Sequence, residues 1–162
     1  MPGLYTHSTG EVIRRLLINM ALGADPPPPS PQGTTWPVYA PKEPDSPDNV
    51  ITVQGTAGVV GPSNMIDGEF NTLEGFQVRV RGANNHLAAR KANAIADGLQ
   101  RITWKVITCP AVTKDGQTVP AGTYKVQQVS ISSGPIELGN ESPESKRYLF
   151  TINGLVSMSQ VS

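Results

Sequence analysis

Between residues 74 and 82, Phe76, Val78 and Val80 alternate with Gln77, Arg79 and Arg81. That is the period-two pattern of a strand with one buried face. Gly82 ends it, and an alanine-rich stretch follows. There Leu87, Lys91, Ala92, Ile95, Leu99 and Ile102 recur at helical spacing, with Ala88 and Ala96 beside them. The spacing predicts a helix over about 84–101 whose small alanines let it lie close to the sheet, while Gly98 weakens its last turn by about 1 kcal/mol relative to alanine. An earlier helix is predicted over 8–23. Ser8-Thr9-Gly10-Glu11 reads as a capping box, Val12, Ile13, Leu16, Leu17 and Met20 form an apolar stripe, and Gly23 is placed as the C-terminal cap.

The other segments read as strands and loops. Pro26-Pro27-Pro28-Pro29-Ser30-Pro31 cannot continue a helix and predicts a stiff polyproline spacer within a linker over 25–34. Thr35 to Ala40 looks extended, with Pro37 favouring an edge position. Pro41 to Asn49 is a turn by composition, and Val50 to Val53 a strand. Residues 55–73, rich in Gly, Asn and Asp, read as a long contact loop ordered by a partner. Trp104 to Thr108 predicts a strand, and Lys114-Asp115-Gly116-Gln117 a hairpin turn. Thr123 to Ile131 is a further strand, residues 132–146 a polar loop, and Arg147 to Met158 a closing strand with Tyr148, Phe150 and Ile152 on one face. The sum is one α+β domain, 1–162, in which a mostly antiparallel sheet is backed by two helices on one face, with long loops.

Composition narrows the function. The 162 residues carry 13 Lys plus Arg and 13 Asp plus Glu, a formal net charge of zero. A dedicated nucleic-acid binder normally shows a basic excess. Charged residues are only 16% of the chain, below the ~25% of average domains, which favours a subunit because contact surfaces are depleted of charge at their centres. The single cysteine, Cys109, leaves no internal disulfide and reads as a small buried hydrophobe. No apolar run approaches the ~20 residues of a membrane span, so a soluble chain made in a reducing cytoplasm is expected.

Chemistry-bearing residues are sparse. Of the two histidines, His7 falls in a stretch expected to be unanchored and His86 in the first turn of the second helix. A Cys109–His86 dyad has no supporting signal. Asp45, Asp48, Asp67 and Glu69 lie in turns without calcium-loop spacing, and the glycines form no phosphate-binding pattern. No catalytic residue, cofactor or metal is assigned, and no enzyme is expected. Arg79 and Arg81 share one strand face, with Arg90, Lys91 and Arg101 nearby in sequence. They either touch a neighbouring subunit or form cross-strand ion pairs on a solvated face. With Asn64, Asp67 and Glu69 of the 55–73 loop they are the candidate subunit or partner contacts.

The phrases "PDSPDNVITV" (44–53) and "GFQVRVRG" (75–82), followed by "A…A…KA..I...L", resemble the tail-terminator or minor capsid (tail completion) proteins of tailed bacteriophages over roughly residues 8–108. The resemblance implies a virion subunit, assembled in the host cytoplasm, that forms a homo-oligomeric ring, most simply a hexamer. Such a ring caps the tail tube, ends its polymerisation and joins the tail to the head–tail connector, with genomic DNA passing through the lumen without sequence-specific contact. Its implied partners are therefore itself, the tail tube protein, the connector and the DNA, with no membrane. Two other readings stay open: another neck or head–tail joining protein, and a monomeric cytoplasmic binding module using the proline run or the 55–73 loop.

Overall fold

The computed structural model describes residues 5–25, 36–63, 70–140, 144 and 146–161. In chain order these form α1 (Thr9–Asn19), β1 (Val38–Tyr39), β2 (Val50–Ser63), β3 (Phe70–Gly82), α2 (Asn85–Gln100), β4 (Thr103–Cys109), β5 (Val112–Lys114), β6 (Gln117–Val119), β7 (Gly122–Asn140) and β8 (Tyr148–Gln160). Six strands make one curled sheet in the order β1-β2-β3-β8-β7-β4, and β5–β6 is a separate hairpin. Every pairing in the large sheet is antiparallel except β1 with β2. This is the expected α+β domain.

β3 sits in the middle because its alternation is the cleanest in the chain. Phe76, Val78 and Val80 are wholly buried, paired across to Gly55, Val53 and Ile51 of β2 and to Gly154, Ile152 and Phe150 of β8. Residues directly opposite one another in an antiparallel pair share a face, so these rows form one apolar surface. Both helices bury their stripes on it, α1 through Val12, Ile13, Leu16 and Leu17, α2 through Ala88, Ala92, Ile95 and Leu99. Each of the Val, Leu, Ile and Phe side chains taken fully from water contributes about 1.5–3 kcal/mol, and the alanines less.

The helix ends depart from expectation in detail. The Ser8 hydroxyl accepts from the Glu11 amide at 3.2 Å. The Glu11 carboxylate, however, is taken by Arg14 Nη1 at 3.0 Å and Arg15 Nε at 3.4 Å, because two basic residues lie one turn ahead of it. α1 ends at a Met20 cap rather than at Gly23. Gly23 instead packs under the Val38 side chain, where a Cβ would clash with Val38 and come within 3.1 Å of the Trp36 carbonyl. On α2, Asn84 caps the His86 and Leu87 amides. Leu87 is not on the inner face but 48% exposed, and Lys91 reaches over the Trp36 ring to donate to the Leu22 carbonyl at 2.8 Å.

The two predicted loops are largely strand. Residues 55–63 continue β2 and β3 starts at Phe70, and 64–69 of the expected 55–73 loop lie outside the described residues. Glycines and two register shifts, between Thr56 and Val59 and between Val60 and Ser63, erase the period-two signal there. Likewise β7 runs on to Asn140 through what reads as polar loop, with irregular register between Ile131 and Gly139. The strand expected over 35–40 shrinks to Val38–Tyr39, at the sheet edge as Pro37 implied. The Lys114–Gln117 turn is as expected, with Asp115 (φ 52°) and Gly116 (φ 76°) both left-handed, as a type I′ hairpin requires.

Candidate assembly interface

The face of the sheet opposite the helices carries Thr52, Arg79, Arg81 and Thr151. The segment between β1 and β2 folds across one end of it, and Arg81 is what holds that segment down. Its Nη1 donates to the Glu43 carboxylate at 2.8 Å, and its Nη2 to the Pro44, Asp45 and Pro47 carbonyls at 2.8, 3.2 and 2.8 Å. Arginine suits this task because its rigid guanidinium offers five donors in one plane. Arg81 is 2% exposed, and Thr52, Thr151 and Leu149 are buried on the same face. Arg79 Nη1 reaches the other Glu43 oxygen at 3.3 Å. Arg147 completes the seam by donating to the Asp48 carboxylate at 2.8 Å.

This geometry corrects the expectation for Arg81. It has no free surface for a neighbouring subunit, being spent on its own chain's turn, whereas Arg79 is part-exposed and keeps a contact role open. Glu43 is the partner that sequence reasoning passed over, since an acid 38 positions away gives no local signal. Asn64, Asp67, Glu69 and the Pro26–Pro31 run lie outside the described residues. Of the other basic residues near Arg79 in sequence, Arg90 is exposed and Arg101 pairs with Asp97 at the surface.

The rest of this face is open and almost uncharged. Gln77 Nε2 donates to Asn153 Oδ1, and Asn153 Nδ2 to Ser133 Oγ, each at 3.0 Å, forming a polar ladder across three strands. Beyond it a shallow depression of about 210 Å³ is lined by Leu73, Gln128, Ser130, Leu155 and Ser157. Val59 and Leu73, paired with each other at the far end of the β2–β3 hairpin, are 52% and 37% exposed.

The opposite sheet edge is β4. Trp104 is 65% and Val106 60% exposed, and Lys125 Nζ lies 4.5 Å over the indole ring. Trp104 also has φ 53°, a conformation costly for a bulky side chain. Beyond β4 the chain projects as the β5–β6 hairpin, and every residue from 110 to 121 is exposed, including the paired Val112 and Val119. A signal for this surface does exist in the sequence: Trp104 and Val106 fall on one side of the strand while Ile107 and Cys109 are separately apolar, giving β4 too many apolar positions for a single buried face.

His7, expected to be unanchored, is 8% exposed: its amide donates to the Tyr124 hydroxyl at 2.8 Å, and its Nδ1 lies 2.9 Å from the same oxygen. Tyr5 ties the same terminus down by donating to the Met158 carbonyl at 2.9 Å. His86 is exposed at the start of α2, and Cys109 is buried in the core. Burial, with Glu11 adding to it, pushes the Cys109 thiol from an ordinary value near 9 up to about 11. The thiolate is the reactive form. A disulfide-exchange reagent at pH 8 is therefore expected to label native protein at the slow rate of global opening and denatured protein at once. The proton is held more tightly in the folded state, so stability contributed by this group is complete below pH 9 and falls as pH rises from 9 to 11. Urea midpoints measured across that range, with Cys109→Ala as reference, check the sign.

Among the described residues no group of three or more His, Cys, Asp or Glu side chains is arranged to hold a metal ion, and no helix is long and apolar enough to cross a membrane. No protein-family model and no curated protein matches the chain.

Proposed function

We propose that the chain is a structural subunit of a bacteriophage neck or tail, a tail terminator that forms a ring, caps the tail tube and joins it to the head connector. In this reading the copies pack as a hexamer, contact the tube protein and the connector, and let DNA through the lumen. It acts within the virion and carries out no catalysis. The observation that carries this reading is the sheet that runs beyond its helical cover. Exposed strands bearing Trp104, Val106, Val112 and Val119 lie at one edge and Val59 and Leu73 at the other, more apolar exposure along ordered strands than a free monomer needs. The resemblance supplies the kind of assembly. Its two phrases, 44–53 and 75–82, are also physical neighbours here, joined by the donor contacts of Arg81 to the Pro44, Asp45, Pro47 and Asp48 carbonyls.

The test is localisation in the particle. Antibody-gold labelling of virions made by the genome that encodes this chain is expected to mark the junction of head and tail, and particles lacking the chain to carry tails of uncontrolled length or no joined heads. Absence of the chain from purified particles would falsify the reading.

A further inference from the structure

We infer that β4 of one copy pairs with the distal edge of β2 in the next, so that the sheet continues across the subunit boundary. The choice of a second copy as partner rests on the ring reading above. The choice of edges rests on the strands.

Among the described residues both ends of the six-stranded sheet are open at the same height. β4 is the last strand at one end. At the other end β1 covers β2 only at Ile51 and Thr52, and the stretch from Gln54 to Ser63 has no strand on its outer side. The register fixes the levels. Thr103 is opposite Gln128, Gln128 opposite Ser157, and Ser157 follows Val156, which faces Glu74. Leu73 is next to Glu74 and faces Val59. Thus β4 begins at the level of Val59, and a rotation that sets one copy beside another brings β4 against the distal part of β2 without a vertical shift. Through three antiparallel steps, β2 to β3, β3 to β8 and β8 to β7, and a fourth to β4, the two edges also run in the same direction. The new pairing is therefore parallel, continuing the line that β1 begins beside β2.

Charge selects this head-to-tail contact over a symmetric one. β4 carries Lys105, and Lys125 stands over Trp104 beside it. No acid lies on β4, so two β4 edges brought together would oppose like charges. The distal β2 stretch is uncharged, and Glu74 on the adjoining β3 has the complementary sign. A head-to-tail contact that closes gives a ring. Such a contact also gives the exposed features of this edge a use. Trp104 and Val106 pack beside Val59 and Leu73 of the neighbour, and the 110–121 hairpin, marginal as an isolated two-stranded unit, gains a surface to lie on.

Complementary variants test it. Trp104→Glu with Val106→Glu spoils only the β4 edge, and Val59→Glu only the β2 edge; all three positions are exposed, and circular dichroism with thermal unfolding checks that the fold is kept. Mass photometry of the wild type is expected to show closed rings, and each variant alone to be monomeric, its association weakened about thirtyfold or more, as for an interface hot spot. Mixed one to one, the two variants retain one good edge each and should give a heterodimer that grows no further. Either variant still forming rings overturns the inference, as does Val59→Glu forming symmetric dimers. Should a variant not fold, a Val59→Cys, Val106→Cys chain treated with a short bismaleimide is expected to give an intermolecular ladder, Cys109 being buried. A wild type that is monomeric at every concentration and yields no ladder from that variant also overturns it. The ring's place in the particle is judged separately by the labelling experiment, so failure of these edges and failure of the tail-terminator reading are distinguishable.

Discussion

Replacing Arg81 with alanine is expected to destabilise the domain by about 3–4 kcal/mol, a fall in Tm of roughly 10 °C for a chain of this size. The side chain is almost wholly buried, and it supplies donors to one carboxylate and four backbone carbonyls, the Asp48 carbonyl at the long distance of 3.5 Å. Removing it leaves those part-buried acceptors without their donors, and orphaned buried acceptors cost about 1–3 kcal/mol each when they cannot be resolvated. The 41–49 turn is near the surface and will recover some water, which keeps the total well below the sum. Arg81→Lys keeps the charge but cannot reproduce the planar fork, so it should fall between wild type and alanine. Arg79→Ala is the contrasting control. Its side chain is 31% exposed and makes a single ion pair at 3.3 Å, a class of interaction worth at most about 1 kcal/mol. Urea unfolding of the four proteins checks the order, and equal losses for Arg79→Ala and Arg81→Ala would remove the clamp from the account.

That contrast also marks what could be read from the sequence. Alternation around Phe76–Arg81 located the central strand and its buried face, and helical spacing located α1 and α2, because those elements bury one regular face. It did not separate Arg79 from Arg81, two arginines on the same side of one strand. Their difference lies in a turn more than thirty positions earlier that covers one and only borders the other. The distal halves of β2 and β7 were illegible for a different reason. Their register slips, and their glycines and serines follow no binary pattern. His7 was misplaced because a single hydroxyl on β7, Tyr124, anchors it. The resemblance covers the legible part of the chain, 8–108, whereas Val112 and Val119 of the proposed contact surface lie beyond it.

The second large effect concerns the ring of Phe76, which stands between two cross-strand glycines. Phe76→Ala should cost about 3–5 kcal/mol, the usual range for emptying a fully buried aromatic site, because the side chain has no exposed surface and lies among residues from both helices. Its neighbours on the same sheet face are Gly55 on β2 and Gly154 on β8. A Cβ on Gly154 would come within 2.5 Å of the Phe76 ring and 2.9 Å of the Ser130 carbonyl, whereas a Cβ on Gly55 would meet nothing within 4 Å. The phenyl ring thus leans over β8, and glycine is required on that side alone. Gly154→Ala is expected to lose about 1–3 kcal/mol through overpacking, while Gly55→Ala should be neutral or stabilising by up to about 1 kcal/mol through the unfolded chain. The double variant Phe76→Ala, Gly154→Ala decides the mechanism. With the ring gone only the Ser130 carbonyl opposes the new methyl, so the two losses should fall short of additive by about 1 kcal/mol or more, beyond the 0.3–0.5 kcal/mol scatter of independent sites. Strict additivity in denaturant unfolding would mean that Ser130, not Phe76, sets the glycine requirement, and that the packing of β3 on β8 is governed by the backbone rather than by the ring.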